Sequence, residues 1–300
     1  MKDSNKKRIA FIYEGVQAEE NLLANMKRVY LSEFYGVETF QLPADGNIYM
    51  LWKQLVDDEF ETNVIDILKE MSKEAESRLR EQNLKASDFA EIYLFFDYDG
   101  HAANFSEETI HEANELCKSL GMPEIKNKWD ILERMLLVFR NETEEGKLYV
   151  SYPMVESIRE IRKETAEYKR LYMPLENTPN YKHSFFEKSD YGNYTAITKE
   201  MWDIACYASV KQANLIVSKK AECSYEEFIK KLTQLDIYHA QKLYYIQNAS
   251  GERLLAILNS VPLFLVEYFD VDFWNRVKRI SSWAIFFSDY KVFGAFLDIQ

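Results

Sequence analysis

The sequence predicts an α/β fold in which helices flank a mostly parallel central sheet, followed by an α-helical C-terminal region. In the first half, four short apolar runs alternate with longer segments of helical periodicity, a pattern typical of parallel sheets. Beyond residue 198, apolar stripes recur at helical spacing almost without interruption. We therefore predict an α/β domain over residues 1–166, a connector over 167–197 and a helical domain over 198–300.

The individual strands and helices follow from the same patterns. The predicted strands cover residues 8–13, 37–42, 91–96 and 147–151. Residues 17–34 and 60–84 carry apolar side chains at helical spacing and predict two helices, the second long and strongly charged. A third helix is expected over residues 106–121, which begin with a capping pattern and end at a glycine. Residues 253–269 are apolar nearly all round, so we expect a buried helix there.

Composition and charge exclude several classes of protein. The net charge of −12 disfavours a protein that coats nucleic acid non-specifically, although it permits a local basic groove. The three cysteines are scattered without a CxxC pair, which predicts neither disulfides nor structural zinc and fits a reducing, cytoplasmic setting. No apolar run reaches the roughly 18 residues of a membrane-spanning helix, so we expect no contact with a membrane.

Acidic side chains follow two of the predicted strands at the point where each strand ends. Glu14 and then Gly15 come directly after the first strand, and Asp97 and Asp99 end the third. Because ligands bind at the carboxyl ends of parallel strands, we expect these acids to share one edge of the sheet. Glu19, in the first turn of the next helix, lies near the positive end of the helix dipole and is expected to face the same edge.

The acidic residues at this edge predict a metal site. Several carboxylates on one rim repel one another unless a cation bridges them. Oxygen ligands of this kind select Mg²⁺ or Mn²⁺. Such an ion can lower the pKa of a bound water and hold a transferring phosphate, so the predicted chemistry is hydrolysis or transfer at a phosphodiester.

A further candidate residue follows the fourth predicted strand. Glu156 lies one turn into a helix expected to begin at Pro153. There it can serve as a metal ligand or general base, or it can simply be an acid that the helix dipole stabilises. Arg159, Arg162 and Lys163 follow within residues 157–170. We expect a helix there, with its basic side chains forming either a phosphate-binding face or solvated ion pairs.

The stretches "YEGVQAEENL" and "LFFDYDG" together resemble the Toprim family, which pairs a glutamate-glycine after its first strand with an Asp-x-Asp after a later strand. The form seen here, with Glu19 five residues after Glu14 and a later "YPMVES", is most similar to RloB-like proteins and to the Toprim subunit of the PARIS defence system, relatives of the OLD nucleases. The resemblance covers roughly residues 8–165.

The resemblance implies a Toprim-like sheet and a Mg²⁺-dependent nuclease that cleaves DNA or RNA in antiphage defence, beside a separately encoded ABC-type ATPase. It implies that Glu14 binds metal and acts as general base, that Asp97 and Asp99 bind metal, and that Glu19 is a supporting acid.

Two other interpretations stay open at the sequence level. "LFFDYDG" also resembles the first motif of haloacid-dehalogenase-type phosphatases, in which the leading aspartate is the nucleophile, although here a strand-helix-strand region precedes it. Alternatively, the chain is a non-catalytic Toprim-shaped subunit that binds a partner. The apolar stretches over residues 261–269 and 279–296 also suggest the interface of a homodimer.

Overall fold

The computed structural model describes residues 6–15, 17–32, 36–46, 48–98, 130–183, 189–247 and 253–279, together with residues 107, 111, 114–115 and 118. The chain divides into two compact units, Met1–Val150 and Ser151–Gln300. The three-part division predicted from the sequence stays a prediction. The helix expected over 106–121 lies largely outside the described residues.

A five-stranded sheet organises the first unit, with the strand order β2-β1-β3-β5-β4. Its strands are β1 (Lys7–Tyr13), β2 (Val37–Pro43), β3 (Glu91–Asp97), β4 (Arg140–Asn141) and β5 (Gly146–Ser151). β1 pairs in parallel with β2 and with β3, whereas β4 is antiparallel to β5. The four predicted strands correspond to β1, β2, β3 and β5, and the α/β class with a mostly parallel sheet is confirmed.

The order of the strands creates a switch point at the centre of the sheet. The chain leaves β1 to form β2 on one side and returns to form β3 on the other side of β1. The crevice outside the carboxyl ends of two such strands is where α/β sheets bind ligands. Residues Ile9–Tyr13 of β1 are fully buried, so the strand that leads to this crevice lies in the core of the unit.

Helices of the first unit connect these strands. They are α1 (Ala18–Met26), α2 (Ile48–Asp57), α3 (Val64–Met71), α4 (Lys73–Glu81) and α5 (Asp130–Val138), and α1 continues into a π-helical turn, Lys27–Leu31. The single long helix predicted over 60–84 is wrong, because the helix is interrupted at Ser72, between α3 and α4. This residue adopts extended backbone angles, and its side chain accepts a hydrogen bond from the backbone N–H of Ala75, so it caps α4.

The free edge of β2 carries two cations. Lys27 Nζ donates a hydrogen bond to the Thr39 carbonyl at 2.8 Å, and Arg78 Nη1 donates to the Gln41 carbonyl at 3.0 Å. Burial lowers the pKa of Lys27, although nearby Glu38 opposes that shift. Within the described residues, β2 has β1 as its only strand partner, so these side chains occupy acceptors that a further strand would otherwise use.

The second unit begins with a short 3₁₀ helix, Val155–Glu160, and a hairpin of β6 (Ile161–Arg162) and β7 (Glu167–Tyr168). The helix predicted over 157–170 is therefore wrong. Its charge pattern is compatible with a helix, but the Tyr168 hydroxyl lies against Ser209 Oγ at 2.9 Å and accepts a bond from the Asn259 backbone N–H at 3.0 Å. These long-range bonds favour the hairpin over the local preference.

The rest of this unit is mostly helical in its described part. Its helices are α6 (Lys199–Ser218), α7 (Tyr225–Lys231), α8 (Gln234–Gln247), α9 (Val261–Phe269) and α10 (residues 271–279). Two further strands, β8 (Tyr172–Pro174) and β9 (Leu254–Ala256), pair antiparallel. The helix predicted over 253–269 thus begins only at Val261, because Gln241 on α8 holds both the N–H and the carbonyl of Ala256 in strand geometry.

The structure describes one of the two apolar stretches suggested for a dimer interface. Residues 261–266 are buried within the second unit as part of α9, so their apolar character serves the core of the unit. Residues 280–296 of the other stretch lie outside the described residues. Among the helices that the structure describes, none combines the length and apolar character needed to cross a membrane.

Candidate functional site

Two of the predicted acids meet at the carboxyl ends of β1 and β3. Asp97 is the last residue of β3, and its backbone N–H donates a 3.4 Å hydrogen bond to Oε2 of Glu14, which follows β1 directly. The two residues are 83 positions apart in the sequence. Their proximity follows from the parallel pairing of β1 with β3, and it places both at the switch point of the sheet.

Glu19 approaches the same turn from α1. It is the second residue of the helix, and its Oε2 lies 3.2 Å from the position that a Cβ on Gly15 would occupy. A side chain at position 15 would therefore crowd this carboxylate, and glycine leaves room for it. Glu14, Gly15 and Glu19 thus form one turn, which we call the acidic turn.

The acids of this region differ in exposure. Asp97 is 5% exposed and Glu19 is 7% exposed, whereas Glu14 is half-buried. Removing carboxylates from water is costly unless hydrogen bonds or a cation compensate them. The N-terminus of α1 supplies one favourable interaction for Glu19. The arrangement concentrates negative charge next to the more accessible Glu14.

The side-chain donors that Glu14, Glu19 and Asp97 bring to this edge are carboxylate oxygens, which suit Mg²⁺ or Mn²⁺. Across the described ranges, no group of three or more His, Cys, Asp or Glu residues forms a ready-made metal cage. Mg²⁺ commonly keeps several waters and uses only one or two protein carboxylates, so a Mg²⁺ site does not require such a cage. Asp99, the fourth predicted acid, lies outside the described residues.

A residue that sequence reasoning missed connects the acidic turn to its surroundings. Arg78 of α4 donates from Nη2 to Glu20 Oε1 at 2.8 Å and from Nη1 to the Tyr13 hydroxyl at 3.1 Å. Its Nε also bonds Glu74 at 2.9 Å. Partial burial lowers the pKa of Arg78, but these neighbours outweigh it and the pKa lies above its usual value. The pKa of Tyr13 is also raised, and in this case burial is the main cause.

Glu156 belongs to the second unit. It is 7% exposed within the 3₁₀ helix Val155–Glu160, and its Oε1 lies 4.0 Å from Lys182 Nζ. Its Oε2 is buried without a hydrogen-bond partner among the described residues. The helix predicted to begin at Pro153 is a 3₁₀ helix that begins at Val155, and a role for Glu156 at the metal site stays a prediction.

The predicted basic residues lie on or beside the hairpin rather than on an α-helix. Arg159 places its guanidinium 5.1 Å from the centre of the Tyr194 ring. Arg162 is exposed on β6, and Lys163 Nζ lies 3.6 Å from Asp190 Oδ1 in the following turn. Stacking and ion pairing therefore already engage Arg159 and Lys163, and Arg162 and Lys163 are both exposed to solvent.

Together, the fold and the site define an α/β protein with an acidic turn at the switch point of its sheet. Comparisons of the chain with protein-family models, with curated proteins and with solved structures return no match. The resemblance to Toprim proteins therefore rests on the residues of the acidic turn and of the third strand, and the activity it implies is a proposal.

Proposed function

We propose that this protein is a metal-dependent nuclease that hydrolyses phosphodiester bonds of DNA or RNA at the acidic turn, with Mg²⁺ or Mn²⁺ as cofactor. The observation that supports it best is the contact between Glu14 Oε2 and the backbone of Asp97 at the switch point. Acids delivered by two adjacent parallel strands to this crevice are suited to hold a cation and, through it, a phosphate.

Each of the predicted acids has a proposed role at such a site. The metal, when bound, activates a water and stabilises negative charge on the phosphate. Asp97 and Asp99 are the proposed ligands, with Glu19 as a supporting acid. Glu14 is half-buried and more accessible than Asp97 and Glu19, so we assign it both metal binding and acceptance of the proton from the attacking water.

Other parts of the proposal concern partners. Arg159, Arg162 and Lys163 are proposed to bind phosphates of the nucleic acid, with Glu156 as an additional acid or base. A role as effector of an antiphage system, restrained or released by an ATPase subunit, is proposed from the resemblance alone.

The test uses the purified full chain with supercoiled DNA, linear DNA and structured RNA, in Mg²⁺, in Mn²⁺ and in EDTA. Glu14→Gln and Asp97→Asn keep the side-chain shape and remove one charge each. We expect Glu14→Gln to lower the cleavage rate by about 10²-fold or more, which is the usual contribution of a general base, and Asp97→Asn to lower it by weakening metal binding. Glu38→Gln, which removes the charge of a half-buried acid on β2 that pairs with Arg8, is the matched control and should cleave normally.

Unchanged cleavage by both site variants would show that the acids are wrongly assigned. Release of phosphate from monoesters, with a phosphoaspartate trapped on Asp97, would instead favour a phosphatase. Absence of cleavage in every state, including after separation from a co-purified ATPase, would favour the non-catalytic subunit.

A further inference from the structure

Two adjacent glutamates at the start of α1, Glu19 of the acidic turn and Glu20 directly after it, point to different neighbours. Successive residues of an α-helix are rotated by about 100° from one another, so Glu19 and Glu20 leave the helix in different directions. Glu19 packs against Gly15, whereas Glu20 Oε1 accepts a 2.8 Å hydrogen bond from Arg78. The two neighbouring carboxylates are therefore placed in separate environments.

Arg78 connects three elements around this turn. From α4 it reaches Glu20 at the start of α1, Tyr13 at the end of β1 and the Gln41 carbonyl of β2. Tyr13 directly precedes Glu14, and Glu20 directly follows Glu19. The guanidinium thus holds a residue at each end of the acidic turn and ties both to the neighbouring strand.

A second bond supports the same end of α1. Gln41 Nε2 on β2 donates to the Glu20 carbonyl at 3.1 Å. Arg78 therefore bonds the side chain of Glu20, and Gln41 bonds its backbone carbonyl. Such contacts around a metal-binding group fix the orientation of the ligands and typically change metal affinity 10- to 100-fold when removed.

We propose that Arg78 is a positioning residue for the acidic turn: it neutralises Glu20, withholds that carboxylate from the metal and fixes Glu14 and Glu19 for cation binding. This inference rests on the proposed function, because it assumes that the acidic turn binds a divalent cation. It extends that function by giving distinct roles to the two adjacent glutamates.

Because Arg78 is positively charged, an electrostatic role and a positioning role predict opposite effects on cation binding. If the guanidinium acted only as a positive charge near the acids, its removal would strengthen cation binding. A positioning role has the opposite sign. The double variant Arg78→Gln/Glu20→Gln removes one positive and one negative charge, so it keeps the net charge and loses the ion pair and the other Arg78 bonds.

The experiment measures Mn²⁺ affinity of the full chain by electron paramagnetic resonance of the free ion, with no nucleic acid present. We expect the double variant to bind Mn²⁺ roughly 10- to 100-fold more weakly than the wild type. The matched control Lys53→Gln/Asp57→Asn removes an exposed ion pair from α2 in the same unit and should bind as the wild type does.

The outcomes separate the two proposals. No Mn²⁺ binding by the wild type overturns the metal site and this inference with it. Binding that Glu14→Gln weakens while the double variant matches the wild type leaves the metal site standing and overturns the role of Arg78.

Arg78→Lys covers the case in which the double variant does not fold. It keeps the charge and loses the planar fork that reaches several acceptors at once. We expect weaker Mn²⁺ binding than in the wild type. Wild-type affinity in this variant would mean that charge alone suffices, and the positioning role would be wrong.

Discussion

Gly146 offers a direct test of the placement of β5 beside β3. It opens β5 with a φ of +100°, a conformation that residues with a side chain rarely adopt. A Cβ at this position would stand 2.5 Å from Leu94 Cδ1 and 3.1 Å from Ile92 Cγ2, both on β3. Leu94 is fully buried, so it has little room to move. Gly146→Ala should therefore strain the backbone and overpack the core at once.

The size of the effect follows from these two contributions. A residue held in an unfavourable backbone region costs on the order of 1–3 kcal/mol, and an overpacked core typically costs another 1–3 kcal/mol. We therefore expect Gly146→Ala to lower the free energy of unfolding by about 2–6 kcal/mol.

A matched glycine isolates the steric part. Gly36 has a φ of +93°, but no atom of the described residues lies within 4 Å of the position that its Cβ would occupy. Gly36→Ala should therefore show the backbone cost alone, about 1–3 kcal/mol. The assay is urea unfolding of both variants and the wild type. Equal destabilisation by the two substitutions would refute the close packing of β5 against β3.

Three further predictions concern the first unit. Ser72→Ala removes the cap of α4 and should lower the free energy of unfolding by about 1 kcal/mol in urea unfolding, whereas Ser72→Thr, which keeps the hydroxyl, should lose less. Burial raises the pKa of Asp66, but hydrogen bonds from Lys69 and Asn63 outweigh this, and the net pKa is lowered from 3.8. The bonds to the ionised Asp66 therefore stabilise the fold above pH 3.8, and this stabilisation is lost as the pH falls through the lower pKa of the folded state. Asp66→Asn should therefore flatten the acid side of a plot of unfolding free energy against pH. An unchanged acid side would contradict this prediction. Finally, Mn²⁺ at a hundredfold excess over its Kd should stabilise the wild type by about 2.7 kcal/mol in a thermal melt, and Asp97→Asn should abolish the gain; equal gains in both proteins would place the ion elsewhere.

The sequence was informative where one short pattern determines the outcome. The apolar runs that became β1, β2, β3 and β5 are long enough to identify alone, and the parallel-sheet rule then brings Glu14 next to Asp97. Both steps use only local residue order and a general property of α/β sheets.

Features that depend on distant residues left no such pattern. Arg78 is 65 positions from Tyr13, and nothing around it distinguishes it from the neighbouring charged residues of α4. The hairpin of β6 and β7 has helix-like charge spacing, but the core contacts of Tyr168 decide its form. β9 pairs with β8, which lies far upstream, so its strand character is a tertiary effect.

The side chains on the outer strand have a practical consequence for work on this protein. A second molecule that tried to extend the sheet at β2 would have to displace Lys27 and Arg78 from the Thr39 and Gln41 carbonyls. Arg78 thus also protects the edge of β2 from pairing with a strand of another molecule. Any variant at this position should first be checked for concentration-dependent oligomers by sedimentation, because edge-to-edge pairing at β2 would change the form of the protein whose ion binding is measured.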